Sequence, residues 1–189
     1  MRKKMLQLIA IVVATTPFVA IATTVVNMNL EELTRRSDTA VIAKVTSVSY
    51  GFNEEAGYPE TRTKFSVEDT VYGGGNREEI ILSLPGGPIG DGLVTVVPGM
   101  PRFKDEERVV LFAVEDNDRG FAYPTGLEQG VFRIRTDPKT KIDYVFNQAM
   151  NLGSIELSPT PLKRQGNESK SRLREFEIEV KRLAKKVKK

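Results

Sequence analysis

The 189-residue chain contains neither cysteine nor histidine. Without cysteine there are no disulfides, which exported domains with small cores often use as staples, so stability must come from packing. A lipid cannot be attached through an N-terminal cysteine either. Without histidine the chain lacks the commonest general base and the commonest zinc ligand. No serine stands in a G-x-S-x-G or S-x-x-K setting, which closes further hydrolase routes. Long apolar runs are also missing beyond the first 26 residues, so no later segment is long enough to span a membrane as a helix.

The chain opens like a secretory signal. Arg2, Lys3 and Lys4 precede an apolar stretch over 5–14, Thr15-Thr16-Pro17 interrupts it, and Ala20-Ile21-Ala22 supplies the small residues a signal peptidase accepts. Cleavage after Ala22 is expected, leaving Thr23 as the N terminus of an exported protein, periplasmic or extracellular. An uncleaved anchor over 5–26 is the rival reading. The chain carries 28 Lys+Arg against 25 Asp+Glu, and the three cations of the signal account for the difference. The remaining charge is uneven: 163–189 is strongly basic and 23–162 is acidic. For an exported chain this favours an acidic surface as the tail's partner, its own core included, over nucleic acid.

The composition fits one domain with one core. Asn29 before Leu-Glu-Glu, with Glu32 three residues on, predicts a capped helix from Leu30 to Arg36. A Val/Ile/Thr/Ser-rich run over 39–50 predicts a long strand, apolar on both faces at 40–43. Gly51, Gly57 and Pro59 predict a connecting loop over 51–60. Alternation over 61–71 predicts a half-buried strand with Phe65, Val67 and Val71 on one face, and 79–84 predicts another with Ile80, Leu82 and Leu84 inward. The Gly/Pro-rich stretch 85–92 predicts a loop, and β structure resumes over 93–97. The run 109–114 is the candidate central buried strand, and 129–136 and 142–146 should pair as a hairpin. A linker over 154–168 then leads to the C-terminal segment 169–189 and a helix expected from about Ser171 to Val187, where Leu173, Phe176, Val180, Leu183 and Val187 recur at helical spacing and Ser169 is a candidate cap. The expected divisions are a signal at 1–22, a β domain at 23–153, the linker and the C-terminal helix.

The residues offer little chemistry. The stretch 85–92 lacks the Gly-Lys-Ser/Thr ending and the following helix of a phosphate loop. Asp116-Asn117-Asp118-Arg119-Gly120 resembles the opening of a calcium loop, but its glycine is misplaced and Leu127 stands where the bidentate glutamate belongs, so a plain hairpin turn is expected. Asp105-Glu106-Glu107 is read as an acidic turn before a strand rather than a metal site. Nothing singles out a carboxylate pair for general acid-base work. No catalytic residue, cofactor or metal site is therefore expected. Loops on a rigid β scaffold often carry function, which makes Gly57, Tyr58, Pro85, Gly86, Gly87, Ile89 and Gly90 the candidate partner-binding positions. The C-terminal helix is expected to pack on the core, the other readings being a membrane-surface or partner-binding helix.

The ordered set Glu31-Glu32-Leu33, Ser37-Asp38, Ala40-Val41-Ile42-Ala43-Lys44-Val45, Phe65-Ser66-Val67-Glu68 and Val109 to Ala113 resembles small exported bacterial proteins without assigned function. More distantly it resembles the N-terminal domain of tissue inhibitors of metalloproteinases and related netrin-like modules. The resemblance implies a mainly β fold, an OB-like antiparallel barrel with a short N-terminal helix and an amphipathic C-terminal helix, in keeping with the strand count. The inhibitors chelate a protease zinc through an N-terminal cysteine, and here Thr23 stands in that place and the disulfide brace is missing. The resulting expectation is a non-catalytic exported module that recognises a protein or cell-envelope partner, with no nucleic acid and no transmembrane segment after signal removal. The alternatives are a regulator of a secreted protease and, third, a carboxylate-based hydrolase.

Overall fold

In a computed structural model of the chain the described residues are 26–116, 120–147, 149 and 170–188. The signal, Thr23, the linker and the Ser169 cap lie outside them. Among the described residues the fold is mainly β with two α-helices. In chain order the elements are α1 (Leu30–Arg36), β1 (Thr39–Asn53), β2 (Tyr58–Tyr72), β3 (Glu79–Pro85), β4 (Gly87–Gly90), β5 (Leu93–Thr95), β6 (Arg108–Asp116), β7 (Phe121–Pro124), a short 3-10 turn (Leu127–Gly130), β8 (Val131–Thr136), β9 (Asp143–Phe146), β10 (Lys170–Arg172) and α2 (Leu173–Val187).

The helix α1 starts where its cap predicts, with the Asn29 side chain accepting from the Glu32 amide at 2.8 Å. The Glu32 carboxylate turns to Arg36 at 3.3 Å. Antiparallel pairings join β1 to β2, β2 to β3, β6 to β7, β6 to β8, β8 to β9 and β9 to β10, and β6 also pairs with β1. A single parallel bridge, Leu82 to Ala122, joins β3 to β7. The expected hairpin at 137–142 is present, and β6 and β7 pair antiparallel with Asp116 opposite Phe121, the residues 117–119 of the turn expected there lying outside the described ones.

Because β1 and β6 are central, each feeds two cores. Ala40, Ile42, Val110 and Phe112 point to the side covered by α1 and α2, where they meet Leu33, Phe132, Phe176 and Val180. Val41, Ala43, Val109 and Leu111 point the other way, to Phe65, Leu82 and Ala122. This explains the apolar character of both faces at 40–43 and 109–113. The single core expected from length is thus two clusters divided by a sheet. The C-terminal helix packs on the β structure: Phe176 and Val180 are fully buried, and the Phe176 and Phe132 ring centroids lie 4.7 Å apart.

Four sequence expectations are corrected. Val71 does not share a face with Phe65 but joins the helix-covered cluster. The pairing with β1 shifts register between Ala40 and Val41 and between Ile42 and Ala43, so extra β2 residues turn its side chains over. Val114 is partly exposed, because the burial of β6 ends at Ala113. The loop expected at 51–60 is mostly strand, since β1 and β2 pair out to Asn53 and Tyr58. The loop expected at 85–92 contains β4, which pairs with β5 as a separate two-stranded ribbon.

Candidate functional site

The long hairpin β1-β2 and the small hairpin β4-β5 together build one exposed apolar region. A register shift between Val45 and Ser47 changes the phase of β1, so that Val48, which packs partly on the core, is followed by Tyr50 and Phe52 on the same face. Opposite them on β2 stand Thr61 and Pro59. Tyr50, Phe52, Ile89, Leu93, Val94 and Val96 each keep more than half of their surface exposed, and Tyr58 is also exposed. Leu93 and Val94 are adjacent, so the β4-β5 ribbon shows apolar side chains on both faces.

The two hairpins meet through glycine backbone. At the end of β3, Pro85 pairs with Glu60, and the Gly86 amide then donates to the Pro59 carbonyl at 2.7 Å. The Thr61 hydroxyl donates to the Gly86 carbonyl at 2.8 Å. Gly87 has φ +138°, and a Cβ there would stand 2.9 Å from Thr61 Oγ1 and 3.4 Å from Tyr50 Cδ1. Only glycine lets the ribbon lie this close to β1 and β2. Gly57 closes the β1-β2 turn with φ +72°, and Gly90 opens the β4-β5 turn with φ +93°. The structure therefore brings together Gly57 and Tyr58 on one hairpin and Pro85, Gly86, Gly87, Ile89 and Gly90 at the other.

Beneath this region lies a buried carboxylate. The Glu60 side chain accepts from Ser83 Oγ at 2.9 Å and Asn53 Nδ2 at 3.2 Å, and it pairs with the Arg62 guanidinium. Burial alone would raise its pKa, but those two hydrogen bonds and the Arg62 charge outweigh it and hold the carboxyl below its ordinary value. Glu60 thus stays ionised and ties the turn end of the β1-β2 hairpin to Ser83 of β3. Beyond it the hairpin turns carry exposed Glu54, Glu55 and Asp91.

Among the described residues, part of one edge of β1 is open. Its pairing with β6 covers Thr39 to Lys44, and Val45 bonds to Glu106 and Glu107. Over 46–53, among the described residues, only β2 pairs with β1. That eight-residue edge, Thr-Ser-Val-Ser-Tyr-Gly-Phe-Asn, holds no charge and no proline, the usual devices that protect a free edge. The arrangement presents backbone donors and acceptors beside apolar side chains, which suits recognition of an extended chain.

Tyr50, Phe52, Leu93, Val94 and Val96 were not among the sequence candidates. The signal for the first two was present in the continued alternation Val48, Tyr50, Phe52, masked by the turn-forming Gly51 and Pro59. The Asp105-Glu106-Glu107 turn is engaged in ion pairs, Glu106 with Lys44 and Glu107 with Arg133 at 2.9 Å. Among the described residues no group of three or more acidic side chains is placed to hold a metal ion, and no helix is long and apolar enough to cross a membrane. Comparison of the chain with known protein families, curated proteins and solved structures found no match.

Proposed function

We propose that the protein is an exported, non-catalytic binding module that recognises an extended segment of a partner protein, which adds as a strand to the free edge of β1 over 46–53. The observation that carries this reading is that edge, uncharged and, among the described residues, unpaired on its outer side, beside exposed Tyr50 and Phe52. Backbone pairing would supply affinity and the apolar side chains of the two hairpins would supply selectivity. The acidic residues at the hairpin turns, Glu54, Glu55 and Asp91, oppose an anionic lipid surface and favour a partner with basic residues flanking its apolar segment.

The scaffold for this role is read as an OB-like barrel. In support, the pairings run β1-β2-β3-β7-β6 and return from β6 to β1, with β3 and β7 parallel. Val41, Phe65, Leu82, Leu111 and Ala122 gather on one side of those strands. Nuclear Overhauser contacts between Leu82 and Ala122 together with β1-β6 contacts test the closure, and absence of the first contradicts it.

The binding role is tested with the exported protein in its own cells. A photoreactive amino acid at Phe52 should capture one partner, and Tyr50→Ser with Leu93→Ser should abolish the capture while the thermal midpoint holds. Capture that survives both substitutions, or that is equally strong from Lys139 in the β8-β9 turn, overturns the reading.

A further inference from the structure

Away from the β1 edge, an open groove of about 1160 Å³ lies between the end of α2 and the turn after β2. Its lining includes Val71, Tyr72 and Gly73 from the sheet, and Lys181 and Lys185 from the helix. Other cations at its rim are already engaged: Arg182 pairs with Glu179 at 2.6 Å, Lys186 with Glu31 at 3.0 Å, and Lys188 donates to the Ser37 carbonyl at 2.6 Å. Lys181 and Lys185 differ. Among the described residues neither forms an ion pair, although the Glu177 carboxylate one turn before Lys181 feels its charge. Asp38, the acid in the lining, accepts from the Glu115 amide at 3.0 Å.

The two lysines stand one helical turn apart, so their Cβ atoms are separated by roughly 5–6 Å and their ammonium groups can converge on neighbouring negative centres. The opposing wall is fixed. A Cβ on Gly73 would stand 2.0 Å from the Asp38 carbonyl oxygen, so the turn is seated directly on the chain leaving α1. Glu31 and Glu179 are already paired with Lys186 and Arg182, and Glu177 with Asp69 beside it disfavours a broad anionic surface more than a discrete anion.

We propose that this groove binds a small molecule bearing two adjacent phosphoryl groups, which Lys181 and Lys185 neutralise. The groove is larger than a diphosphate needs, since pockets of roughly 300–1,000 Å³ hold drug-sized ligands. The ligand's body would therefore lie beside Val71 and Ala184, since the Lys188 ammonium already sits over the Tyr72 ring, 6.0 Å from its centroid. This site stands independently of the strand-edge reading, because it shares no residue with it.

The test titrates inorganic pyrophosphate into the full chain, followed by calorimetry and by amide chemical shifts. Saturable binding should move the Tyr72, Gly73 and Lys185 amides. Lys181→Gln with Lys185→Gln should weaken it at least about tenfold, the loss expected when charge-assisted hydrogen bonds are removed. Both lysines are exposed, so the variant should keep its thermal midpoint, and the double arginine variant, which keeps both charges, should still bind. Equal affinity of the glutamine variant, shifts confined to other surfaces, equally tight binding of succinate, or no saturation up to about 10 mM would each overturn the proposal.

Discussion

The Thr61 hydroxyl donates to the carbonyl of Gly86 at 2.8 Å, and this one bond ties the β4-β5 ribbon to the long hairpin. With the 2.7 Å bond from the Gly86 amide to Pro59, it fixes where Ile89, Leu93 and Val94 stand relative to Tyr50 and Phe52. The candidate site is thus a composite held by backbone, and its assembly can be disturbed without touching either core.

Gly87→Ala tests that assembly. The substitution strains a φ of +138° and drives a methyl to 2.9 Å from Thr61 Oγ1. The expected cost exceeds about 1 kcal/mol, with faster hydrogen exchange confined to 86–95. Uniformly faster exchange, or none, would contradict the close approach assigned to this glycine.

The helix-covered core gives a larger effect. Phe176 is fully buried and touches Phe132 and Phe112 with centroids at 4.7 and 6.4 Å. Phe176→Ala should lower stability by about 3–5 kcal/mol in urea unfolding. A loss under about 1 kcal/mol would mean that α2 is not an integral layer of the fold.

Acid stability follows from Glu60 and Asp143. Hydrogen bonding from Thr136 and from Arg108, with the Arg108 charge, outweighs burial and lowers the Asp143 pKa, as the Ser83 and Asn53 bonds and Arg62 do against burial at Glu60. A depressed folded-state pKa adds stability that is complete above the unfolded value and is lost as pH falls through the folded one. The decline should therefore begin below the ordinary values of 4.5 for Glu60 and 3.8 for Asp143. Glu60→Gln should flatten the pH dependence of unfolding in that window, and an unchanged slope would contradict the pairing.

Asn147 closes the far end of the sheet. Its Nδ2 donates to the carbonyls of Gln129 at 2.7 Å and Val131 at 2.9 Å. Asn147→Ala leaves these buried acceptors short of a donor, at an expected cost of about 1–3 kcal/mol in chemical denaturation. Asn147→Asp should cost at least as much, since it replaces the donor with a charge.

Local signals made much of the fold legible. Asn29 and Glu32 located α1 to the residue, the run at 109–114 identified a central strand although its last residue Val114 is partly exposed, and the stripe from Leu173 to Val187 gave α2 although Val187 is only partly buried. What escaped depends on partners distant in the chain. The turned-over Val71 follows from extra residues in β2, and the Leu82-Ala122 bridge from how the chain returns after β6. The β4-β5 ribbon was hidden because Gly and Pro normally break strands, yet here glycine permits the close approach to Thr61. The site was legible as positions, through Gly57, Tyr58 and the residues from Pro85 to Gly90. Its apolar members were not, since exposed Leu93 and Val94 look like core residues until the ribbon is seen to cover nothing.

The most direct test of strand addition is hydrogen exchange of the full chain, alone and with the partner captured through Phe52. The account predicts new protection of alternate amides over 46–53, with β6 and β8 unchanged. Protection that leaves 46–53 exchanging freely while other surfaces slow would contradict it.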